Sequence, residues 1–339
     1  MDPTLWVWFG PNASQMIELR IDEDAAQSRL DKFLRRRLSG VPTSHLFKMI
    51  RTKKVRVNGV RAQPEQLLQL GDVLTIRGSA EDLLAPRAPG DKPPPPPPPV
   101  VDPAELVVLL EDDWIMGVNK PSGMAVHTGS GITGGTLVDY VRAYLGPKAV
   151  RNDFAASPAH RLDRETSGVI IVAKRRPAMV HFTDVFTNHR AAKRYLVLVK
   201  GRMPKSAGLI DLPLSEHQQT AASKAARGVN MQNAITRWTV ERAGREASLL
   251  SCTIETGRTH QIRRHFAALG HPVAGDRKYG DFTFNREVKA RWGLKRLFLH
   301  AERLTFPHPR DGEKVTLRAP LPPELIAVLE AAALTPEST

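Results

Sequence analysis

An unbroken run of seven prolines, residues 93–99, divides this 339-residue chain and limits its fold more than any other feature. Consecutive prolines favour an extended polyproline II conformation and contribute nothing to a hydrophobic core. Pro86, Pro89 and Gly90 lead into the run. We therefore predict a spacer over residues 85–103, with a smaller domain before it and a larger domain after it.

The segment before the spacer has the pattern of a small domain. Apolar residues recur twice at helical spacing, and Gly40 and Pro42 separate the two sets, which predicts two short helices joined by a turn. Alternating residues around Asn58-Gly59 predict a β-hairpin, and residues 72–76 predict a further strand. We place this front module at residues 19–84, after an N-terminal extension of residues 1–18.

Positive charge is concentrated in the front module. The chain has 49 Lys and Arg against 35 Asp and Glu, a formal net charge of +14, which indicates a polyanionic partner. Residues 29–61 alone contain 11 Lys and Arg against one acid, Asp31. A basic stretch is often only a solvated face, but on a compact helix pair and hairpin these cations can follow a phosphate backbone. The candidate RNA-binding residues are Arg29, Lys32, Arg35, Arg36, Lys48, Arg51, Lys53, Lys54 and Arg56.

The residues after the spacer, 104–333, predict one α+β domain. The predicted helices are too few and too irregularly spaced for a regular βαβ alternation, so we expect a mixed, largely antiparallel sheet. Strands are predicted at residues 106–110, 114–118, 169–174, 195–200, 235–240 and 249–254, and helices at residues 136–145, 178–189, 261–269 and 322–333.

Some kinds of site are excluded or disfavoured. Cys252 is the one cysteine, which excludes an internal disulfide and multi-cysteine metal sites, and its apolar neighbours predict core packing. His260, His265 and His271 lack acidic partners at ligand spacing, so we expect structural or RNA-facing histidines and no metal. No apolar run approaches the roughly 20 residues of a membrane span, and no secretory signal is visible. We therefore expect a cytoplasmic protein that does not bind membranes.

A first polar cluster with chemical potential is residues 160–168, in which Asp163 lies between Arg161 and Arg164. Nearby positive charge favours an ionised carboxylate, which suits Asp163 to act as a nucleophile. An ordinary turn, in which the aspartate pairs with an arginine, fits the same residues.

A second polar cluster is residues 255–265. Thr259 is expected to cap a helix that presents Ile262 and Arg263 in its first turn. From there Arg263 is able to reach a carboxylate of another segment.

Together these clusters resemble the RluA family of pseudouridine synthases. Residues 160–168 match the catalytic signature of that family. The front module is similar to the S4 RNA-binding domain over residues 19–77. The other matching motifs, in chain order, are residues 119–123 with Val126 and His127, then residues 193–195, 257–263 and 296–301.

The resemblance implies catalytic roles for three residues. Asp163 would attack a flipped-out uridine and form a covalent intermediate, Tyr195 would stack on the uracil, and Arg263 would pair with Asp163. The implied reaction is an isomerisation without net redox change, so neither a cofactor nor a metal is expected.

The resemblance also implies contacts with the substrate. The planar side chain of Arg161 would fill the stack that the flipped base leaves. Ile262 and Leu299 would surround the base, although core packing explains them equally well. The implied substrate is large-subunit (23S) ribosomal RNA or its assembly intermediates, and a monomer is the default expectation.

Other functions stay open at this point. A non-catalytic rRNA-binding or ribosome-assembly protein would share the fold and the charge, and a synthase could act on another RNA such as transfer RNA. An RNA methyltransferase would need a glycine-rich loop for S-adenosylmethionine, which the sequence lacks. An aspartate-based hydrolase would need a partner acid for Asp163.

Overall fold

The computed structural model describes residues 5–9, 15–38, 41–78, 101–129, 134–151, 154–215 and 231–334. Two compact units divide the chain: Met1–Pro98 with Leu145–Ala156 and Ala173–Val180, and Pro99–Tyr144 with Ser157–Val172 and His181–Thr339. The proline run lies outside the described residues, so the predicted spacer and domain boundaries stay predictions.

The front module is a five-stranded antiparallel sheet with two helices, and its strands follow the order β1-β2-β5-β3-β4. The predicted helix pair, hairpin and strand are all present. The elements are β1 Leu5–Phe9, β2 Gln15–Arg20, α1 Leu30–Arg37, α2 Thr43–Arg51, β3 Val55–Val57, β4 Val60–Arg61 and β5 Val73–Arg77.

The core of the front module begins earlier than its predicted first residue. β2 crosses the predicted boundary between residues 18 and 19, and Ile17 is fully buried together with Leu19. Residues at alternate positions of a strand face the same side of the sheet, which explains why both join one core. Asn58 and Gly59 have φ values of +51° and +74°, the left-handed pair that a tight hairpin requires.

From residue 101 onwards the chain forms a larger set of strands and helices. The strands are β6 Val107–Glu111, β7 Ile115–Lys120, β8 Val150–Arg151, β9 Phe154–Ala155, β10 Ser157–Pro158, β11 Ser167–Ala173, β12 Ala192–Lys200, β13 Ala207–Asp211, β14 Leu214–Ser215, β15 Met231–Gln232, β16 Ile235–Ala243, β17 Ala247–Ile254, β18 Leu299–Pro307 and β19 Lys314–Arg318. The helices are α3 Leu137–Leu145, α4 Arg176–Thr187, α5 Gln261–Ala268, α6 Phe282–Trp292 and α7 Pro323–Ala331.

Ten of these strands form one mixed sheet with the order β13-β16-β17-β12-β18-β11-β7-β6, to which β10 and β19 add at β11 and β18. β12 pairs antiparallel with both β17 and β18, whereas β11 and β18 run parallel. The predicted α+β class with a largely antiparallel sheet is confirmed. The additions to the predicted elements are the helix α6 and the strands β8, β9, β10, β13, β14, β15, β18 and β19.

β11 brings the first polar cluster into the middle of this sheet. All of its residues are buried, from Ser167 to Ala173, because other strands flank it on both sides. Gly168 has φ +118°, and a Cβ atom there would lie 2.2 Å from the carbonyl oxygen of Ala301 on β18. Only glycine tolerates both the conformation and the close approach. The loop of Asp163 is thereby fixed at the point where it enters the sheet.

Candidate active site

A buried lysine anchors the loop that carries Asp163. Lys120, at the end of β7, is fully buried, and its Nζ donates to the carbonyl oxygens of Pro121 at 2.8 Å, Met124 at 2.9 Å and Arg164 at 3.2 Å. Burial lowers the pKa of Lys120 to about 7. The three carbonyl contacts join the motif of residues 119–123 to the loop of Asp163, although the two segments lie more than 40 residues apart in the chain.

Two other residues of the 119–123 motif bind backbone carbonyls of the same loop. Ser122 Oγ donates to the carbonyl of Glu165 at 2.7 Å, and the amide of Gly123 donates to the carbonyl of Arg164 at 2.8 Å. In return, Nε of Arg164 donates to the carbonyl of Gly123 at 2.9 Å. The loop conformation is therefore set by another segment of the chain.

Asp163 pairs with an arginine that is distant in the sequence. Its Oδ2 accepts a hydrogen bond from Nη1 of Arg263 at 3.2 Å, and its side chain is 16% exposed. The flanking arginines lie elsewhere, since Arg164 binds Gly123 and Arg161 is exposed. The pairing of Arg263 with Asp163 that the resemblance implied is present, whereas the expectation that the two flanking arginines hold the carboxylate is wrong.

Arg263 is itself held by a carboxylate that the sequence did not indicate. Asp276 accepts from Nε of Arg263 at 2.7 Å and from Nη2 at 2.9 Å, and both residues are buried. Burial acts to lower the pKa of Arg263, but hydrogen bonds and charges of Asp276 and Asp163 outweigh it and raise that pKa. Burial acts to raise the pKa of Asp276, but its hydrogen bonds lower it. Both groups are charged.

The start of α5 differs from the prediction. The residue before the helix is His260, which has φ +55°, and no side chain caps the helix. Thr259 is exposed and one position too early to serve as the cap. His260 instead places Nδ1 2.9 Å from the hydroxyl of Tyr279. Burial lowers the pKa of His260, so its approach to Asp163 Oδ1 at 3.9 Å is that of a neutral imidazole.

Tyr195 lies on β12 beside this group of charges. Its side chain is 7% exposed, and the register between β12 and β18 shifts between Arg194 and Leu196, on either side of it. Burial raises the pKa of Tyr195, and the negative charge of Asp163 raises it further. The phenol therefore keeps its proton at neutral pH.

One cavity of about 470 Å³ brings the predicted catalytic and base-contacting residues together. Ile262 and Leu299 are each 4% exposed, so they belong both to the core and to the cavity wall. A volume of this size is in the range of small-molecule sites. The predicted residues that line it are Arg161, Asp163, Tyr195, Ile262, Arg263 and Leu299.

The cavity wall also contains a lysine, a histidine and a phenylalanine to which no role was predicted. Nζ of Lys193 lies 4.3 Å from the ring centre of Phe186, and burial lowers the pKa of Lys193 to about 8. Burial, assisted by the charge of Lys193, lowers the pKa of His160 to about 3. His160 is thus neutral, and its Nε2 accepts from the amide of Ile171 at 3.2 Å. The only sequence signal for Lys193 was its place in the matching motif of residues 193–195.

The remaining histidines and the cysteine have structural contacts. His265 bonds Thr236 and the carbonyl of Leu212, and His271 bonds the carbonyl of Lys200. Cys252 is buried in β17. Within the described ranges, no three His, Cys, Asp or Glu side chains are grouped to hold a metal ion, and no helix is long and apolar enough to span a bilayer.

The front-module cations are mostly open to solvent. Arg29 is the exception among the nine candidates, because it is half-buried and pairs with Asp31 at 3.1 Å and Glu65 at 3.6 Å. Lys48 and Arg51 on α2 line a second cavity, of about 370 Å³. The exposed candidates are Lys32, Arg35, Arg36, Lys48, Arg51, Lys53, Lys54 and Arg56.

Comparison with known proteins gives one consistent result. The family described as RNA pseudouridylate synthase matches residues 115–268, and the S4 domain matches residues 28–74. Ribosomal large subunit pseudouridine synthase C of Pasteurella multocida is 36% identical over 318 residues, which cover 92% of this chain and 93% of that protein. The protein of the same name from Escherichia coli K12 is 38% identical over 309 residues, covering 89% and 92%.

Solved structures agree on the fold. Human RNA pseudouridylate synthase domain containing 4 superposes with a TM-score of 0.55 at 24% identity, over 67% of this chain and 93% of that one. Human RNA pseudouridylate synthase domain containing 1 gives 0.53 at 25% identity, over 71% and 100%. The mixed sheet that contributes Tyr195 and Leu299 to the cavity is therefore an architecture found in proteins of this kind.

Proposed function

The chain belongs to the RNA pseudouridylate synthase family, and from that premise we propose that it isomerises specific uridines of large-subunit (23S) ribosomal RNA, with Asp163 as the covalent catalyst. The relatives named ribosomal large subunit pseudouridine synthase C support the substrate. The observation that carries the proposal is the cavity in which Asp163, Arg263 and Tyr195 meet.

The reaction needs a nucleophile that is ionised and fixed in direction. Asp163 attacks the bound uridine, the bond from N1 to C1′ breaks, and the uracil turns so that C5 bonds to C1′. A proton leaves C5, N1 gains one, and the aspartate is released, so that product and substrate are isomers. Arg263 serves this step because its hydrogen bond aims one carboxylate oxygen of Asp163.

The base must leave the RNA helix before the reaction begins, which costs a few kcal/mol of stacking. Arg161 is exposed at the cavity and has the planar side chain to occupy the vacated stack. Tyr195 offers a neutral ring for stacking on the uracil, and Ile262 and Leu299 exclude water around it. No step requires a cofactor or a metal ion.

The front module supplies affinity for the RNA. Its exposed cations form a surface for phosphates, and binding of this kind tracks shape and charge more than base identity. We propose that the S4 domain predicted at residues 19–84 begins earlier, with β1 and β2 of its sheet, that residues 85–103 form the spacer and that residues 104–333 form the catalytic domain. The substrate is the rRNA or an assembly intermediate, and we place the enzyme in the cytoplasm as a monomer.

Pseudouridine mapping tests the proposal. Unmodified large-subunit rRNA is incubated with the protein or with Asp163→Asn, which keeps the size of the side chain but cannot act as a carboxylate. We expect new pseudouridine at defined positions with the natural chain, and a loss on the order of 10⁴ or more with the variant.

Two other outcomes would change the account in different ways. Pseudouridine formed only in transfer RNA would keep the activity and overturn the substrate. No pseudouridine in rRNA, assembly intermediates or transfer RNA would overturn the enzymatic proposal in favour of a binding protein.

A further inference from the structure

A second carboxylate lies directly behind the proposed catalytic pair. Arg263 gives two hydrogen bonds to Asp276, at 2.7 and 2.9 Å, and only one to Asp163, at 3.2 Å. The side chain of Asp276 is 0% exposed and that of Asp163 is 16% exposed. The guanidinium is therefore bound more firmly to Asp276 than to the proposed nucleophile.

Asp276 has a fixed position of its own. Its Oδ1 also accepts from the amides of Lys278 at 2.8 Å and Tyr279 at 3.0 Å. Its backbone carbonyl accepts from Nδ2 of Asn285 at 2.9 Å. The preceding Gly275 has φ +75°, and a Cβ there would lie 2.0 Å from a carbonyl oxygen of Arg296. The loop therefore has little freedom to move.

Asp163 and Asp276 compete for the one guanidinium of Arg263. Two carboxylates and one guanidinium give a net charge of −1 in a largely buried place. If Asp276 were absent, the fork of Arg263 would be free to bind Asp163 through two parallel hydrogen bonds, the strong arrangement for an arginine and a carboxylate. A nucleophile held in that way would be poorly placed to leave its partner and attack.

We propose that Asp276 is a positioning residue for Arg263. It binds Nε and Nη2 of the guanidinium, so that only Nη1 is left to donate to Asp163. This single hydrogen bond aims Asp163 while leaving it able to attack. The inference rests on the proposed function, because it presumes that Asp163 is the nucleophile. It adds to that function a third charged residue that acts only through Arg263.

The test separates chemistry from binding with Asp276→Asn. Pseudouridine formation is followed in a single turnover with saturating enzyme, and the Kd for the same RNA is measured by filter binding. We expect the rate constant to fall about a hundredfold, because a small misplacement of reacting groups is costly. The Kd is expected to stay within about twofold, since Asp276 is buried away from the RNA.

Two matched variants control for structural damage. Asp281→Asn makes the same change at a nearby residue that caps α6 and pairs with Lys200, without contact to Arg263. Its rate is expected to equal that of the natural chain. Asn285→Ala loosens the anchor of the loop but keeps the Asp276 carboxylate, so we expect a lower melting temperature and a smaller loss of rate than Asp276→Asn gives.

A double variant decides whether Asp276 acts through Arg263. In an Arg263→Met background, Asp276→Asn is expected to cause no further loss of rate and to raise the melting temperature, because it removes a buried carboxylate that has lost its guanidinium partner. A natural rate for Asp276→Asn, or losses that multiply in the double variant, would overturn the inference. Absence of pseudouridine with the natural chain would instead overturn the proposed function.

Discussion

The cations of the front module and the charges of the cavity are organised in opposite ways. Lys48 and Arg51 are exposed on α2, whereas Arg263 and Asp276 are 6% and 1% exposed and hold each other by two hydrogen bonds. Exposed charges interact weakly one by one and are screened by salt, so they act through their number. Buried charges are strong and directional, so they act through their position.

This difference separates the two tasks of the enzyme. The front module needs to attract an RNA backbone of uniform charge, and the loss of one cation leaves the others in place. In the proposed mechanism one oxygen of Asp163 must point at one uridine, and a single hydrogen bond from Arg263 directs that side chain. Changes in the two regions should therefore affect different measured quantities, and by different amounts.

The largest effect is expected where the backbone itself supports the cavity. Gly168→Ala would place Cβ 2.2 Å from the carbonyl oxygen of Ala301 and would force φ +118° on a residue that disfavours it. We expect a loss of about 3 kcal/mol in the free energy of unfolding, measured in urea, together with a large loss of the single-turnover rate. Gly129→Ala is the control, because nothing lies within 4 Å of its Cβ position. Equal stabilities of the two variants would show that the close approach of β11 to β18 does not support the cavity.

A moderate effect is expected from the lysine that anchors the loop of Asp163. The pKa of Lys120 is about 7 in the folded chain, against an ordinary value of 10.5. Between these values the unfolded chain binds a proton there that the folded chain does not, so stability rises with pH in this window. Relative to Lys120→Met, the natural chain should gain about 1.4 kcal/mol per pH unit between about pH 7 and pH 9, measured by urea unfolding.

The Lys120→Met variant also tests whether the buried lysine is neutral. Parallel stability curves for the natural chain and the variant would mean that Lys120 stays charged in its buried place. Burial would then not be enough to neutralise a lysine that is surrounded by carbonyl oxygens.

The smallest effect is expected from single cations of the front module. Lys48→Ala and Arg51→Ala should each weaken RNA binding and reduce the slope of log K against log salt by about one, if each contacts one phosphate. Arg29→Ala should change the slope less, because Asp31 and Glu65 already neutralise that arginine. Filter binding over a range of salt concentrations measures all three, and equal slopes for all three would contradict the assignment.

The elements that the sequence predicted correctly have a local signal. Local residue patterns predicted β16, β17, α5 and α7, each within a few residues of the observed ends. The additional helix α6 buries only Phe284 and Val288, too few for a clear period. The start of β18 lies in the family motif of residues 296–301. The strand itself was not predicted, because its buried residues do not alternate regularly with exposed ones.

The sequence predicted the site residues that belong to a family motif. It did not predict residues that reach the site only through the folding of the chain. The resemblance placed Asp163, Tyr195 and Arg263 together, which spacing alone does not do, because Asp163 and Arg263 lie 100 residues apart. Asp276 follows Gly275, and glycine followed by aspartate is common in turns, so nothing in the sequence indicated that Asp276 pairs with Arg263. Thr259 was wrong as a cap because the backbone of His260 turns into the left-handed region first.

The most direct test of the central claim measures binding and chemistry side by side in two variants. Asp163→Asn should bind the RNA with the Kd of the natural chain and form no detectable pseudouridine in a single turnover. Lys48→Ala combined with Arg51→Ala should bind more weakly at raised salt, yet form pseudouridine at the natural rate once the RNA is saturated. Pseudouridine formed by Asp163→Asn, or a chemical rate that falls with the front-module charges, would contradict the account.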